Sequence, residues 1–278
     1  MKYEGKVFRP PSEAYSLIIQ VTVGCSHNQC TFCAMYKEDV FHVVPEEDIF
    51  AQLEEEARTW PHHKRFFLAD GDALCLSTTR LLRIMDKIKE LWPNMERISS
   101  YATAKDILRK SKEELITLKE HGLELLYIGL ESGSDEILKM VNKDHTRKDY
   151  ILALEKAKEV GIPTSVTFIN GLGGKERAKE HAKACASLVS ETNPEYVSFL
   201  TLYVEGDCPL LHQVERGEFS LPTVRESLEE LLIFFQEYTG VGPSLFRCNH
   251  ASNYLPLGGE LPGDKDRILS VLHQVLNQ

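Results

Sequence analysis

The segment Gly24-Cys25-Ser26-His27-Asn28-Gln29-Cys30-Thr31-Phe32-Cys33 places three thiols within nine residues, directly after an apolar run. Thiolates are soft metal ligands and nucleophiles, whereas cysteines used only as small core residues scatter along a chain. Two metal chemistries compete for this loop. Zinc would take the three thiols and His27 as a Cys3His set, but structural zinc usually draws on two paired knuckles, and no second pair follows. An iron–sulfur cluster normally takes four thiolates, so three of them leave one iron open to a substrate or cofactor. The chain has seven cysteines in all. The other four, Cys75, Cys185, Cys208 and Cys248, show no paired spacing and give no support for a second cluster. Cys185 reads as a small core residue of a helix, while Cys75 and Cys208 each follow a strand.

The elements that must position this loop alternate regularly. Short apolar runs read as buried strands at Leu17–Val23, Arg65–Leu68, Arg97–Tyr101, Glu124–Gly129, Pro163–Asn170 and Tyr196–Tyr203. Segments of helical period fall between them at Glu46–Arg58, Ser77–Leu91, Lys112–His121, Arg147–Val160 and Glu176–Glu191. Ser111 to Glu114 and Thr146 to Asp149 have capping-box spacing, and Gly122 and Gly161 sit where helices end in a left-handed residue. Strand then helix, repeated, is the pattern of a parallel α/β architecture. Six such units are too few for a closed eight-stranded barrel. The expected fold is a partial (β/α)6 TIM-like barrel over residues 1–205. A C-terminal α-rich extension over 206–278 would pack on it, with helices at Thr223–Tyr238 and Lys265–Leu276 and an irregular stretch between them.

Other chemistry-bearing residues follow the later strands. The second strand runs into Asp70-Gly71-Asp72, the fourth into Glu131-Ser132-Gly133, and the fifth into Asn170-Gly171-Leu172-Gly173. Asp and Gly also form plain turns. A glutamate such as Glu131 at a strand end can accept hydrogen bonds from ribose hydroxyls, or simply favour a helix N-terminus. Alternation in LIIQVTV puts Gln20 and Thr22 on the face that looks into the barrel, with Tyr101 a similar candidate. Arg247, His250 and Asn253 lie in a segment dense in hydrogen-bonding side chains. They are read as further substrate contacts or as caps of their own loop.

Taken in order, these motifs resemble the radical S-adenosylmethionine (SAM) superfamily. The pattern is nearest to its oxygen-independent coproporphyrinogen oxidase, Elongator-type and methylthiotransferase branches. The family spacing is Cys-x3-Cys-x2-Cys with an aromatic residue before the last cysteine, matched here by Phe32; the first gap here holds four residues instead of three. The resemblance implies a 4Fe-4S cluster on Cys25, Cys30 and Cys33, with SAM as the second cofactor. It puts Asp70, Gly71 and Asp72 where relatives carry Gly-Gly-Glu-Pro, with Asp72 as the acid that receives the SAM amino group. Glu131 and Ser132 fall at a polar SAM contact and Lys143 at a basic residue for the SAM carboxylate. Thr167 falls near a polar contact, and Gly171 lies against the adenine. The implied activity is reductive cleavage of SAM to a 5′-deoxyadenosyl radical, fed by a flavodoxin- or ferredoxin-type electron donor. Two other readings stand beside it: a haem or cofactor delivery protein on the same scaffold, and a zinc-stabilised protein without redox chemistry.

Composition narrows the partners. With 278 residues, 42% of them hydrophobic, the chain can bury a real core. Its 32 Lys and Arg against 42 Asp and Glu give a net charge of −10, which argues against a nucleic-acid-coating surface and leaves a small molecule as the expected substrate. No run of about 18 apolar residues suggests a membrane span. The first residues, MKYEGKVFRPPSEAYS, lack the apolar core of an export signal, so a cytoplasmic protein is expected.

Overall fold

The computed structural model describes residues 2–278. In chain order its strands and helices are β1 (Leu17–Gln20), β2 (Thr22–Val23), β3 (His42–Val43), α1 (Glu46–Thr59), β4 (Arg65–Ala69), α2 (Thr78–Leu91), β5 (Arg97–Ala102), α3 (Ala104–Arg109), α4 (Lys112–Glu120) and β6 (Leu123–Glu131). They continue as α5 (Asp135–Met140), α6 (Arg147–Glu159), β7 (Thr164–Asn170), α7 (Gly174–Thr192), β8 (Tyr196–Thr201), α8 (Pro209–Glu215), α9 (Val224–Glu237), β9 (Ser244–Cys248), β10 (Leu257–Leu261) and α10 (Lys265–Leu276). The chain divides into two compact units. One holds the described residues up to Asn28 with Met35–Ile128 and Lys156–Pro163; the other holds Gln29–Ala34, Gly129–Glu155 and Thr164–Gln278. The fold class is α/β with a mostly parallel sheet, of the partial TIM-barrel kind.

In the first unit β1, β4, β5 and β6 pair in parallel, so their C-terminal ends share one edge. Parallel strands are covered on both faces and therefore read as continuous apolar runs; Phe66, Phe67, Leu68 and Ala69 of β4 are all buried. Trp92 packs on Phe66 at 4.9 Å between ring centroids, and Tyr101 on Phe67 at 4.8 Å. The run Leu17–Val23 is not one strand. The Val21 amide donates to the Ala69 carbonyl at 2.5 Å, after which β2 leaves β4 and pairs antiparallel with β3. That departure carries the chain into the thiol loop. Ser111 and Glu114 form the expected reciprocal cap, as do Thr146 and Asp149. Gly122 and Gly161 hold φ of 109° and 71°, as their helix ends require.

In the second unit β7, β8 and β9 are parallel and β10 returns antiparallel on β9. Phe168, Phe199, Phe234 and Phe246 form its aromatic centre. Sequence periodicity leaves β9 and β10 unassigned. Arg247 breaks the apolar pattern of Ser244–Cys248, and Gly258-Gly259 breaks that of Leu257–Leu261, so tertiary pairing with β8 overrides weak local propensity.

A buried carboxylate braces the N-terminal segment against the first unit's strands. Glu13 is fully buried and accepts hydrogen bonds from Tyr127 Oη at 2.6 Å, Arg97 Nη2 at 2.6 Å and the Ser16 hydroxyl. Removing one member of such a buried set strands the rest. Glu13→Ala is expected to destabilise the protein by about 3–5 kcal/mol in urea unfolding, and Glu13→Gln by less.

Candidate active site

In the first unit the thiol loop meets the end of β4. The Ser26 hydroxyl, next to Cys25, donates to Asp72 Oδ2, and Tyr36 Oη donates to Asp70 Oδ1. The loop is further held by Asn28, whose Nδ2 donates to the Tyr36 carbonyl at 2.7 Å and whose own carbonyl accepts from Lys37 Nζ at 2.8 Å. Gly71 makes the close approach possible. A Cβ there would lie 2.7 Å from the Tyr36 ring, 3.0 Å from the Gly24 carbonyl and 3.1 Å from Cys25 Cβ. Asp70 and Asp72 are both buried, and one oxygen of each, Asp70 Oδ2 and Asp72 Oδ1, has no hydrogen-bond partner. Burial and then the neighbouring Asp106 carboxyl push Asp72 up to about 8, with Ser26 and Arg109 opposing. Burial pushes Asp70 up to about 6 against the Tyr36 hydrogen bond. Burial and then Asp72 push the Cys75 thiol up to about 12, so this cysteine stays protonated at neutral pH.

In the second unit Gln29–Ala34 is clamped by backbone hydrogen bonds. The Thr31 amide donates to the Val141 carbonyl at 2.9 Å, the Leu210 amide donates to the Thr31 carbonyl at 2.9 Å, and Asn142 Nδ2 reaches the Gln29 carbonyl at 3.0 Å. Phe32 packs between two apolar clusters, one of Ile137, Val141 and Leu172, the other of Cys208, Leu210 and Phe219. Cys30 and Cys33 flank this anchor and remain partly exposed. Lys143 Nζ lies 3.1 Å from Glu131 Oε1. Burial would lower the lysine pKa, but the charges of Glu131 and Cys30 hold it above its usual value. Glu131 has φ of 64°, an uncommon conformation for a residue with a side chain, and Gly171 has φ of 88°. A Cβ at Gly171 would also meet Pro222 Cγ at 2.9 Å. Ser132 is buried and its hydroxyl accepts from the Ser134 amide at 3.1 Å, a local turn bond. Thr167 is half-buried on β7.

The remaining sequence candidates divide by what their side chains already do. Gln20 exchanges hydrogen bonds with the Glu4 backbone at 2.8 and 2.9 Å, bracing the N-terminal segment. Asn253 accepts from Thr201 Oγ1 at 3.0 Å and donates to the Phe199 carbonyl at 2.8 Å, so it fastens its loop to β8. His250 bonds Ser252 within its own exposed loop, and Arg247 stacks 5.8 Å over Tyr196. Tyr101 packs edge-on to Phe67 and Tyr127 and stays half-buried. Cys185, Cys208 and Cys248 are buried. Among the described residues no three His, Cys, Asp or Glu side chains converge on a single point where one metal ion would sit. Ligands of a cubane cluster each bind a different iron and need not converge in that way. Sequence reading missed Tyr36, Asp106, His181 and Glu230. Only Asp106 carries a local signal, the Thr103-x-x-Asp106 capping box after β5; the others act through residues distant in the chain.

The chain combines a mostly parallel β/α sheet with a loop of three clustered thiols, a donor set that suits a metal. Comparison with known proteins specifies it further: the Radical SAM superfamily model matches residues 19–185, and the chain belongs to that superfamily. Its cofactors are accordingly a 4Fe-4S cluster and SAM. The chain is 26% identical over 226 residues to the heme chaperone HemW of Bacillus subtilis (strain 168), covering 78% of this chain and 59% of that protein. It is 31% identical over 137 residues to a tRNA-2-methylthio-N(6)-dimethylallyladenosine synthase of Chloroherpeton thalassium, covering 48% of this chain and 29% of that protein. The chain thus spans less than two thirds of either relative. The fold resembles coproporphyrinogen III oxidase (HemN) from Escherichia coli, with TM-score 0.55 and 21% identity, covering 80% of this chain and 50% of that one. Among the described residues no helix is long and apolar enough to cross a membrane.

Asp72 binds its proton more tightly in the folded than in the unfolded chain. Its contribution to stability is therefore full below about pH 4 and is lost as pH rises through about 8. Asp72→Asn should raise the melting temperature of the cofactor-free protein at pH 8.5, by about 2–4 °C for each kcal/mol recovered. The gain should shrink toward pH 5. A difference independent of pH would show that Asp72 is not held protonated.

Proposed function

We propose that the chain is a radical SAM enzyme acting on a small molecule. Cys25, Cys30 and Cys33 hold the cluster, and Asp72 receives the SAM amino group. Glu131 and Lys143 face the ribose and carboxylate, with Gly171 against the adenine. The observation that carries this reading is the Ser26–Asp72 hydrogen bond, which joins the thiol loop to the buried acid at the end of β4. The residues fit both cofactors. The three thiols are partly exposed, no carboxylate interrupts the loop, and the unpartnered buried oxygens of Asp70 and Asp72 suit a cationic amino group.

When bound, the reduced cluster and SAM supply a C–S cleavage that leaves methionine and a 5′-deoxyadenosyl radical able to take hydrogen from a substrate. This chain's own part is to bind and orient. Burial and then the neighbouring Asp106 raise the Asp72 pKa, so Asp72 holds its proton until a cation takes its place. The Tyr36 ring packs over Gly71, fixing the backbone between the two acids. Lys143 presents its ammonium beside Cys30, where a carboxylate would be drawn in, and the Glu131 carboxylate accepts hydroxyl hydrogens. Tyr101 is the sequence candidate best disposed toward a substrate, because Gln20 spends its amide on the Glu4 backbone and Asn253 spends its own on Thr201 and Phe199. A flavodoxin- or ferredoxin-type protein is the proposed electron donor. The zinc reading is set aside, since the superfamily uses these thiols for a cluster.

Similarity to a heme chaperone favours a second reading, in which cluster and SAM serve haem or cofactor delivery. The two readings part on one assay. Anaerobically reconstituted and reduced protein should release 5′-deoxyadenosine from SAM, and Cys30→Ala should lose more than about 99% of that activity, since removing a ligand abolishes the site. Stoichiometric haem binding without 5′-deoxyadenosine release would favour delivery, and unaffected release by Cys30→Ala would refute the ligand assignment.

A further inference from the structure

A buried charged pair in the second unit ties together two strand ends that lie 40 residues apart in sequence. His181 on α7 and Glu230 on α9 are 0% and 2% exposed, with Nδ1 and Oε1 2.6 Å apart. The same Glu230 oxygen accepts the Gly171 amide at 3.0 Å. On its other side His181 Nε2 lies 3.2 Å from the Glu131 carbonyl and 3.5 Å from Cys185 Sγ. Both ring nitrogens thus meet acceptors, as a doubly protonated imidazole requires. Burial disfavours that charge, but Cys185 and Glu230 keep the His181 pKa well above its usual value. Asn170 adds a parallel tie, donating to the Ser227 carbonyl on α9 at 2.9 Å.

The two backbone groups held this way belong to the residues with left-handed conformations, Glu131 and Gly171. A left-handed residue with a side chain persists only where its surroundings over-determine it. A buried ion pair adds little net stability over apolar side chains of similar volume, so its retention is better explained by the directions its hydrogen bonds impose. We propose that His181 and Glu230 are a positioning pair for SAM: they fix the backbone at Glu131 and Gly171 so that both present their SAM-facing groups in one geometry. This rests on reading Glu131 and Gly171 as SAM contacts.

The test is equilibrium SAM binding to the anaerobically reconstituted protein, with four variants. His181→Gln keeps a donor but cannot bridge Glu230 and the Glu131 carbonyl together. It should weaken SAM binding about tenfold, the scale on which outer partners of a ligand set act, with iron content and cluster absorbance unchanged. Leu188→Ala removes buried apolar volume from the same helix; it should lower the melting temperature and leave SAM affinity at the wild-type value. Glu131→Gln tests the underlying reading and should itself weaken SAM binding. Wild-type affinity in His181→Gln beside weak binding in Glu131→Gln overturns the positioning role alone. Wild-type affinity in Glu131→Gln removes the contact reading and the inference with it. Equal weakening in Leu188→Ala and His181→Gln means general loosening and also overturns the proposal. If His181→Gln fails to fold, Glu230→Gln, which preserves shape and the acceptor for Gly171, should weaken SAM binding in the same direction; wild-type affinity there overturns it.

Discussion

Two carboxyl groups buried at the end of β4 set the terms for everything around them. An ionised carboxylate withdrawn from water without a partner is too costly to persist, so such a group binds a proton or recruits a cation. Asp70 and Asp72 each keep one oxygen without a partner, and each pKa is raised. The surrounding residues make this tolerable without cancelling it: Tyr36 donates to one carboxylate and Ser26 to the other, while the neighbouring Asp106 pushes the Asp72 pKa further up. Gly71 between them carries no side chain, which lets the thiol loop approach. The result is a pair of buried acids in contact with the part of the thiol loop that carries Cys25.

The second unit solves a different problem, the precise placement of backbone. Its short stretch of the thiol loop is pinned by amide bonds to Val141 and Leu210 and anchored by Phe32 in two apolar clusters. Glu131 and Gly171 sit in left-handed conformations at the ends of their strands, where the side chain of one and the absence of a side chain in the other both have use. Rigid elements that hold unusual backbone at strand ends are the usual support for cofactor positions in parallel α/β folds.

Local pattern made much of this readable in advance, and distance in sequence explains most of what was not. Apolar runs revealed β4, β5, β6, β7 and β8 within a residue or two, because parallel strands have no polar face to hide them, while the run at Leu17–Val23 splits into β1 and β2. Capping spacing at Ser111–Glu114 and glycines at 122 and 161 marked helix ends through backbone geometry alone. The thiol loop stood out because clustered cysteines are uncommon among core residues, and the structure sets Ser26 of that loop on Asp72. By contrast, β9 and β10 owe their existence to pairing partners and show weak propensity of their own. Glu13 and Arg97 are 84 residues apart, and His181 and Glu230 are 49 apart, so no spacing rule could join them. Gln20 and Asn253 show the converse: polar residues in plausible positions whose amides are taken up by the protein itself, Gln20 by the Glu4 backbone and Asn253 by Thr201 and Phe199.

Membership in the Radical SAM superfamily gives the cofactors, while the particular substrate depends on residues outside the shared motifs. In the proposed reading one condition links fold to chemistry, that Cys25, Cys30 and Cys33 ligate three irons and leave the fourth open to SAM. Low-temperature electron paramagnetic resonance of the anaerobically reduced protein, recorded with and without SAM, tests that condition most directly. A reduced 4Fe-4S signal whose shape changes when SAM is added is the predicted result. A signal that SAM leaves unchanged would contradict it.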